Sequence, residues 1–520
     1  MKILLSTVIM LLLLCQKVLA VSPGTILYIP MDNRPVCLDY TVATMQAAGW
    51  DIKVPPREYL ATQKRGAAPE ALFAWLEANA SQASAIVASA DALIYGGLVA
   101  SRVHNIAYDQ LQERAERLIN LKSAYPGPDV YVFSTIMRSP RRSGPPVEPD
   151  YYEQWGEKIF RLGELGDRLE LGQIKRRERR ELKALKENIP QEIIADAQGR
   201  RKGNIEITEL LLHGVESGDF DYMLIGRDDT APFSQAHKEA RDMDILVHEL
   251  PKERIRFFSG ADQLGLVLLS RASTRRRYEL PLVYATYAAG AGGETLPAYE
   301  DDLVSESVKQ HVLAAGGFPT SLRKNADLVL AVNTPADGVT LDATDAKNTF
   351  LTDRQTEAFL GKVARMLQHG HRVALADVKF GNGADNALVA GIFARGIAYE
   401  LAAYSGWNTA GNSIGFALAQ GILSEGYADG IKEKLLTQRY LDDWAYQANV
   451  RNKTYKELIW PRYWPNQGYD QEQLRAIRAF ISKEIDRLAQ QYTDIDCGLW
   501  QYSLPWERMF EIKVEEKNEK

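Results

Sequence analysis

Apolar residues in this chain gather into short unbroken runs, each ending in polar or glycine residues. Nine such runs stand out. They lie in "TILYIPMDNRP" (25–35), "SAIVASADALIYGG" (84–97), "DVYVFSTIMRSPRRSG" (129–144), "DYMLIGRDDTAP" (221–232), "IRFFSGADQ" (255–263), "LPLVYATYAAGAGGE" (280–294), "ADLVLAVNTP" (326–335), "RVALADVKFGNGAD" (372–385) and "LAAYSGWNTAGN" (401–412). Continuous hydrophobicity, in place of alternation, predicts strands covered on both faces, as in a parallel sheet. Between the runs, "APEALFAWLEANASQ", "YDQLQERAERLINLKSAY", "SQAHKEARDMDILVHEL" and "DRQTEAFLGKVARMLQHG" carry apolar residues at helical spacing, and Gly370 suits the end of the last. Strand, polar loop, helix and strand form the βαβ rhythm. Eight or more units over roughly 390 residues predict an α/β, TIM-barrel-like (β/α)8 fold. An open doubly wound parallel sheet, possibly in two domains, is the alternative.

Two regions depart from that rhythm. Residues 156–215, dense in charge with helical periodicity, read as a helical hairpin inserted after the 129–135 strand. Glutamate interleaves its "KRRERR", which suits a solvated helix face better than a nucleic-acid patch. From 413 to 520 the chain is mostly helical and closes on an apparent terminal strand in "LPWERMFEIKVE". The barrel-like unit would span 21–412. Ahead of it, Lys2, an apolar stretch from Ile3 to Cys15 and Val18-Leu19-Ala20 predict a secretory signal peptide cleaved after Ala20. A periplasmic or extracellular protein without stable membrane insertion is expected, because no other segment is apolar and long enough to span.

Composition is ordinary for a globular protein, with 46% hydrophobic and 25% charged residues. A net charge of −6 argues against a nucleic-acid partner. Seven histidines with no HExxH spacing give no His-based zinc site. Cleavage of the leader would leave Cys37 and Cys497, either as a disulfide between the chain ends or as two buried thiols.

Parallel α/β folds collect functional residues at the carboxyl ends of their strands. Polar residues directly after the apolar runs should therefore share one face: Asp32 and Arg34, Asp91, Arg138, Asp228 and Asp229, Asp262, Asn333, Asp377, Asn382 and Asp385, then Trp407, Asn408 and Asn412. Asp228 and Asp229 are the candidate catalytic pair. Two carboxyls in one low-dielectric pocket push their pKa values apart, giving an acid and a base, the machinery of glycoside hydrolysis. Alternatively, Asp229 caps the following helix and Asp228 pairs with Arg227. Arg34, oriented by Asp32, could hold a substrate oxygen or carboxylate bidentately, or the two could form a structural ion pair. In "SGWNTAGN" a ring and two amides suit a sugar's apolar face and hydroxyls, unless the segment is a tight turn with a half-buried Trp407. "DVKFGNGAD" could bind an anion or a sugar but lacks the P-loop pattern, and "AGAGGE" lacks the dinucleotide spacing. The arginine-rich loop "STIMRSPRRSGPPVEPDYYEQW" could be a substrate lid or a plain connection. No cofactor is required, although Asp32, Asp91, Asp228, Asp229, Asp262 and Asp377 could hold a divalent cation.

Six motifs in order, "IPMDNRPVCLDY", "SADALIYGGLVASR", "IGRDDTAP", "FFSGADQ", "YSGWNTAGNSIG" and "LPWERMFEI", resemble the bacterial family DUF4127, a domain of unknown function. That resemblance implies one unit from 24 to about 515 and no activity. The Asp-Asp pair alone resembles N-acetylhexosaminidases in which one aspartate orients the substrate's acetamido group and the next protonates the leaving oxygen. The expected function is a secreted hydrolase of a glycan, possibly one containing amino sugars. A metal-dependent phosphoester or amide hydrolase and a non-catalytic glycan binder are the alternatives.

Overall fold

The computed structural model describes residues 24–428, 430–462 and 469–517. The signal peptide expected over 1–20 lies outside the described residues. All nine apolar runs are strands, and all pair in parallel. β1 (Thr25–Ile29), β2 (Asp51–Lys53), β3 (Ala85–Ser89), β4 (Asp129–Ile136), β5 (Tyr222–Arg227) and β6 (Ile255–Ser259) make one sheet, ordered β2-β1-β3-β4-β5-β6. β7 (Leu282–Tyr287), β8 (Phe318–Pro319), β9 (Leu328–Asn333), β10 (Leu341–Asp342), β11 (Val373–Asp377), β12 (Phe380–Gly381) and β13 (Ala403–Ser405) follow. Five of these form a second parallel sheet, ordered β13-β11-β9-β7-β8, while β10 and β12 pair separately.

This pairing fits the open, two-sheet alternative and does not show a ring of eight strands. Among the described residues, β6 pairs only with β5, and β7 only with β8 and β9, so no pairing joins the sixth and seventh strands. Both sheets wind alike: the first strand is interior, the second is the edge beside it, and the third lies on its other side. Such reversals of winding open a crevice at the strands' carboxyl ends, at β1/β3 and at β7/β9.

The two sheets are joined through paired helices. The Leu264–Arg277 helix packs on β3 and β4, the Ala410–Leu423 helix packs on β11 and β13, and the two helices pack on each other. Every residue of Ala410–Leu423 is buried, which explains why its sequence is apolar all round. Two glycines permit the close approach. A Cβ at Gly415 would lie 2.3 Å from the Gln263 side chain, and one at Gly411 would lie 2.5 Å from the Ser259 carbonyl.

The insertion between β4 and β5 is three helices, Tyr152–Glu170, Arg176–Asn188 and Gln191–Ser217, where a hairpin was expected. Proline at 190 separates the last two. Most of its "KRRERR" segment is solvent-exposed. The terminal strand is shorter than its motif: β14 (Trp500–Ser503) and β15 (Lys513–Glu516) form an antiparallel hairpin, and "LPWERMFEI" mostly makes the connection. Cys37 and Cys497 are free and buried, so the disulfide alternative is set aside. Among the described residues, no helix is long and apolar enough to cross a membrane.

Several carboxyls are buried in this frame. Burial pushes Asp91 and Glu300 up to about 7 each. A folded-state pKa above the unfolded value means that the native protein holds a proton the unfolded chain releases. For Asp91, starting from 3.8, that stability is complete below about pH 4 and is lost as pH rises toward about 7. We therefore expect Asp91→Asn, which does not titrate, to gain on the wild type across this window, by on the order of 4 kcal/mol at most. Urea unfolding at several pH values measures the difference, and parallel curves would contradict the assignment.

Candidate functional site

Loops from both sheets and the C-terminal hairpin enclose a cavity of about 320 Å³. The first sheet contributes Arg34 after β1, Arg102 from the Leu98–Val103 helix, Arg138 after β4, Asp228 and Asp229 after β5, and Asp262 after β6. The second sheet contributes Tyr299 after β7 and Asn408 after β13, and the separate β10–β12 pair contributes Asn382 after β12. The hairpin contributes Trp506, Arg508 and Phe510. The cavity therefore lies at the junction of the two sheets' carboxyl-end crevices.

Backbone strain concentrates here. Asp229, Tyr299, Asn382 and Asn408 adopt left-handed backbone, with φ of 46°, 67°, 61° and 62°. Glu507, between Trp506 and Arg508, does the same at 51°. Among the described residues only Phe233 and Tyr278 join them outside glycine. Non-glycine residues in this region cost of order 1–3 kcal/mol each and cluster where geometry serves function. Asn382 and Asn408 tolerate it best, and the Asn382 N–H donates to the Asn408 carbonyl at 2.8 Å, tying the two loops together.

The charges are paired unequally. Arg102 grips Asp228, while the nearest cation to Asp229 is Arg138, with Nη1 3.3 Å from Oδ2. Arg138 spends its closer contact on Glu148, at 2.7 Å. Burial, then the adjacent Asp228 charge, push Asp229 up to about 6 against the pull of Arg138. Arg34 bridges Asp32 and Asp262, with Nε 2.9 Å from Asp32 Oδ2. Burial raises Asp262 even with Arg34 beside it. The Asp262 N–H donates to Asn412 Oδ1 at 3.1 Å, so Asn412 braces the site from behind.

Of the residues expected at the site, Arg34, Arg138, Asp228, Asp229, Asp262, Asn382 and Asn408 line the cavity. Asp32 and Asn412 support it from outside. Asp91 does not reach it: it lies in the first turn of the Ala90–Ile94 helix, buried, and accepts from Thr135 Oγ1 at 3.2 Å. Asp377 is also buried, in a network with Asn333, Asp385 and Tyr404 that shapes the loop carrying Asn382. Trp407 is core, edge-to-face with Phe416 and Phe510, because the chain turns at Asn408 and aims its neighbour inward. The alternative for the aspartate pair also fails. Ser234 caps the next helix, and Arg227 pairs with Asp301 and Asp302. The arginine-rich loop does wall the cavity, through Arg138 and Val147.

Sequence reasoning missed Arg102, Tyr299, Trp506, Arg508 and Phe510. None directly follows an apolar run, although Arg102 and the last three lie in quoted motifs. Trp506 is buried, with the Arg34 and Arg508 guanidiniums 5.3 Å and 4.7 Å from its ring. Tyr299, 48% exposed, is the most exposed aromatic ring in the wall. Among the described residues, no three His, Cys, Asp or Glu side chains converge as a metal site.

The profile of a family described as "Protein of unknown function (DUF4127)" matches residues 26–515. The chain belongs to the DUF4127 family. Every residue lining the cavity falls within the DUF4127 match, including the C-terminal Trp506, Arg508 and Phe510. Comparison with curated proteins finds no match.

Proposed function

We propose that this DUF4127 protein is a secreted glycan hydrolase in which Asp229 is the general acid and Asp228 the orienting carboxylate or base. One observation carries the reading: two adjacent carboxyls face one cavity under unequal pairing, and Asp229, less tightly held, is pushed up to about 6. A carboxyl in that range stays protonated near neutrality often enough to donate to a leaving oxygen. Asp228, fixed by Arg102, can orient an acetamido group or activate water. Asn382 and Asn408 offer amides to hydroxyls, and Tyr299 takes the stacking role first assigned to Trp407.

Charge balance supports an uncharged polar substrate over a phosphoester. Each guanidinium in the wall already answers a carboxylate: Arg34 to Asp32 and Asp262, Arg102 to Asp228, Arg138 to Glu148, and Arg508 to Glu511. An anionic group would have to displace one of them.

The test is the pH dependence of kcat/KM on aryl glycosides of neutral and N-acetylated sugars. The acid role requires the protonated form, so turnover should fall as pH rises through about 6. A rate that climbs through this range would remove Asp229 from the role.

A further inference from the structure

We propose that the three-helix insertion holds a second binding site, one that takes a single alkyl or acyl chain ending in an anionic head. The insertion encloses a separate cavity of about 360 Å³. That volume falls at the low end of small-molecule clefts, and folded interiors leave few voids larger than a water molecule. Its walls are mainly apolar. Ile159, Leu162, Gly166 and Leu169 share one face of the Tyr152–Glu170 helix, at spacings of three and four, and Leu182 and Ile194 face them from the other two helices. Yet the insertion's own core is only Leu165, Ile174 and Leu182, with Leu162 and Leu185 against it. The protein thus builds an apolar wall and leaves it unfilled.

The polar groups around this cavity set the ligand's polarity. At the inner end lie Arg102 and Glu148, both almost fully buried; Arg102 is shared with the carboxylate cavity. At the rim the exposed Lys186 supplies an ammonium group, while Lys238 is held by Glu170 and Asp242. Both inner groups already have partners, Arg102 in Asp228 and Glu148 in Arg138, so a chain would lie along the Ile159–Leu169 face with its anionic head at Lys186. A free fatty acid and the acyl tail of a larger amphiphile share this chemistry.

Gly166 allows a clean test. It lies within the helix, and a Cβ built there meets nothing within 4 Å. Gly166→Leu therefore fills the cavity while favouring the helix. The probe is a dansyl-labelled fatty acid, titrated by fluorescence and competed with dodecanoate or with dodecyl maltoside. Saturable binding is expected in the wild type, displaced by dodecanoate. Equal displacement by the uncharged maltoside would overturn the anionic head. Gly166→Leu should weaken the probe at least tenfold with an unchanged or higher melting temperature. Lys186→Glu, a surface change, should weaken it several-fold without altering the fold. Asp229→Asn should bind the probe like the wild type, so this site stands or falls separately from the hydrolase reading. Absence of saturable binding in the wild type, or wild-type affinity in Gly166→Leu and Lys186→Glu, overturns the proposal.

Discussion

Asp229→Asn should lower turnover of a cleavable aryl glycoside by about 10²–10⁴-fold, the usual worth of a positioned general acid, without lowering stability. The backbone explains why the change is clean. Asp229 sits at φ 46°, which asparagine tolerates better than almost any residue except glycine. Its carboxylate is not needed to hold the loop, because Arg138 keeps its 2.7 Å contact with Glu148. Losing the charge also relieves repulsion with Asp228. Asp229→Ala would confuse the result by adding backbone strain. Steady-state kinetics with urea unfolding on the same samples checks both halves. Equal turnover by wild type and variant would exclude the acid role.

Arg34→Met should destabilise the protein by about 3–5 kcal/mol, the cost of removing one member of a buried ion cluster. Arg34 holds Asp32 and Asp262 together in the interior, where these acids are 1% and 7% exposed. Its N–H also donates to Asp32 Oδ1 at 3.0 Å. Methionine keeps the volume and leaves two buried carboxylates without their cation. Arg34→Lys should recover only part of the loss, since one ammonium cannot copy a fork spanning two acids. Acid should shrink the deficit, because protonation removes the unpaired charge. Urea unfolding by circular dichroism reads this directly, and an unchanged midpoint would mean that the cluster contributes little.

Much of this arrangement was legible in the sequence because it depends on local patterning. The nine apolar runs became the nine strands whose ends were at issue, since burial on both faces leaves a signature in each segment alone. β2 and β8 escaped notice: they are edge strands of three and two residues. Strand count suggested one ring, but which strands pair is a property of the assembled chain, and the observed pairing fits two open sheets without showing that ring. The strand-end rule located Asp228, Asp229, Asp262, Arg138 and Asn408 because their side chains follow their strands into the crevice. It overreached at Asp91, buried against Thr135 in a helix that starts one residue earlier, and at Trp407, turned into the core. It could not reach Tyr299 or Trp506, which arrive from long loops whose course is set by distant packing.

A crystal soaked with an oligosaccharide of N-acetylated sugars tests the central claim most directly. The account predicts a sugar ring in the cavity at the junction of the two sheets, stacked on Tyr299, with Asn382 or Asn408 on its hydroxyls and the Asp229 carboxyl beside the glycosidic oxygen. A saccharide seated elsewhere on the molecule, with Asp228 and Asp229 untouched, would contradict it.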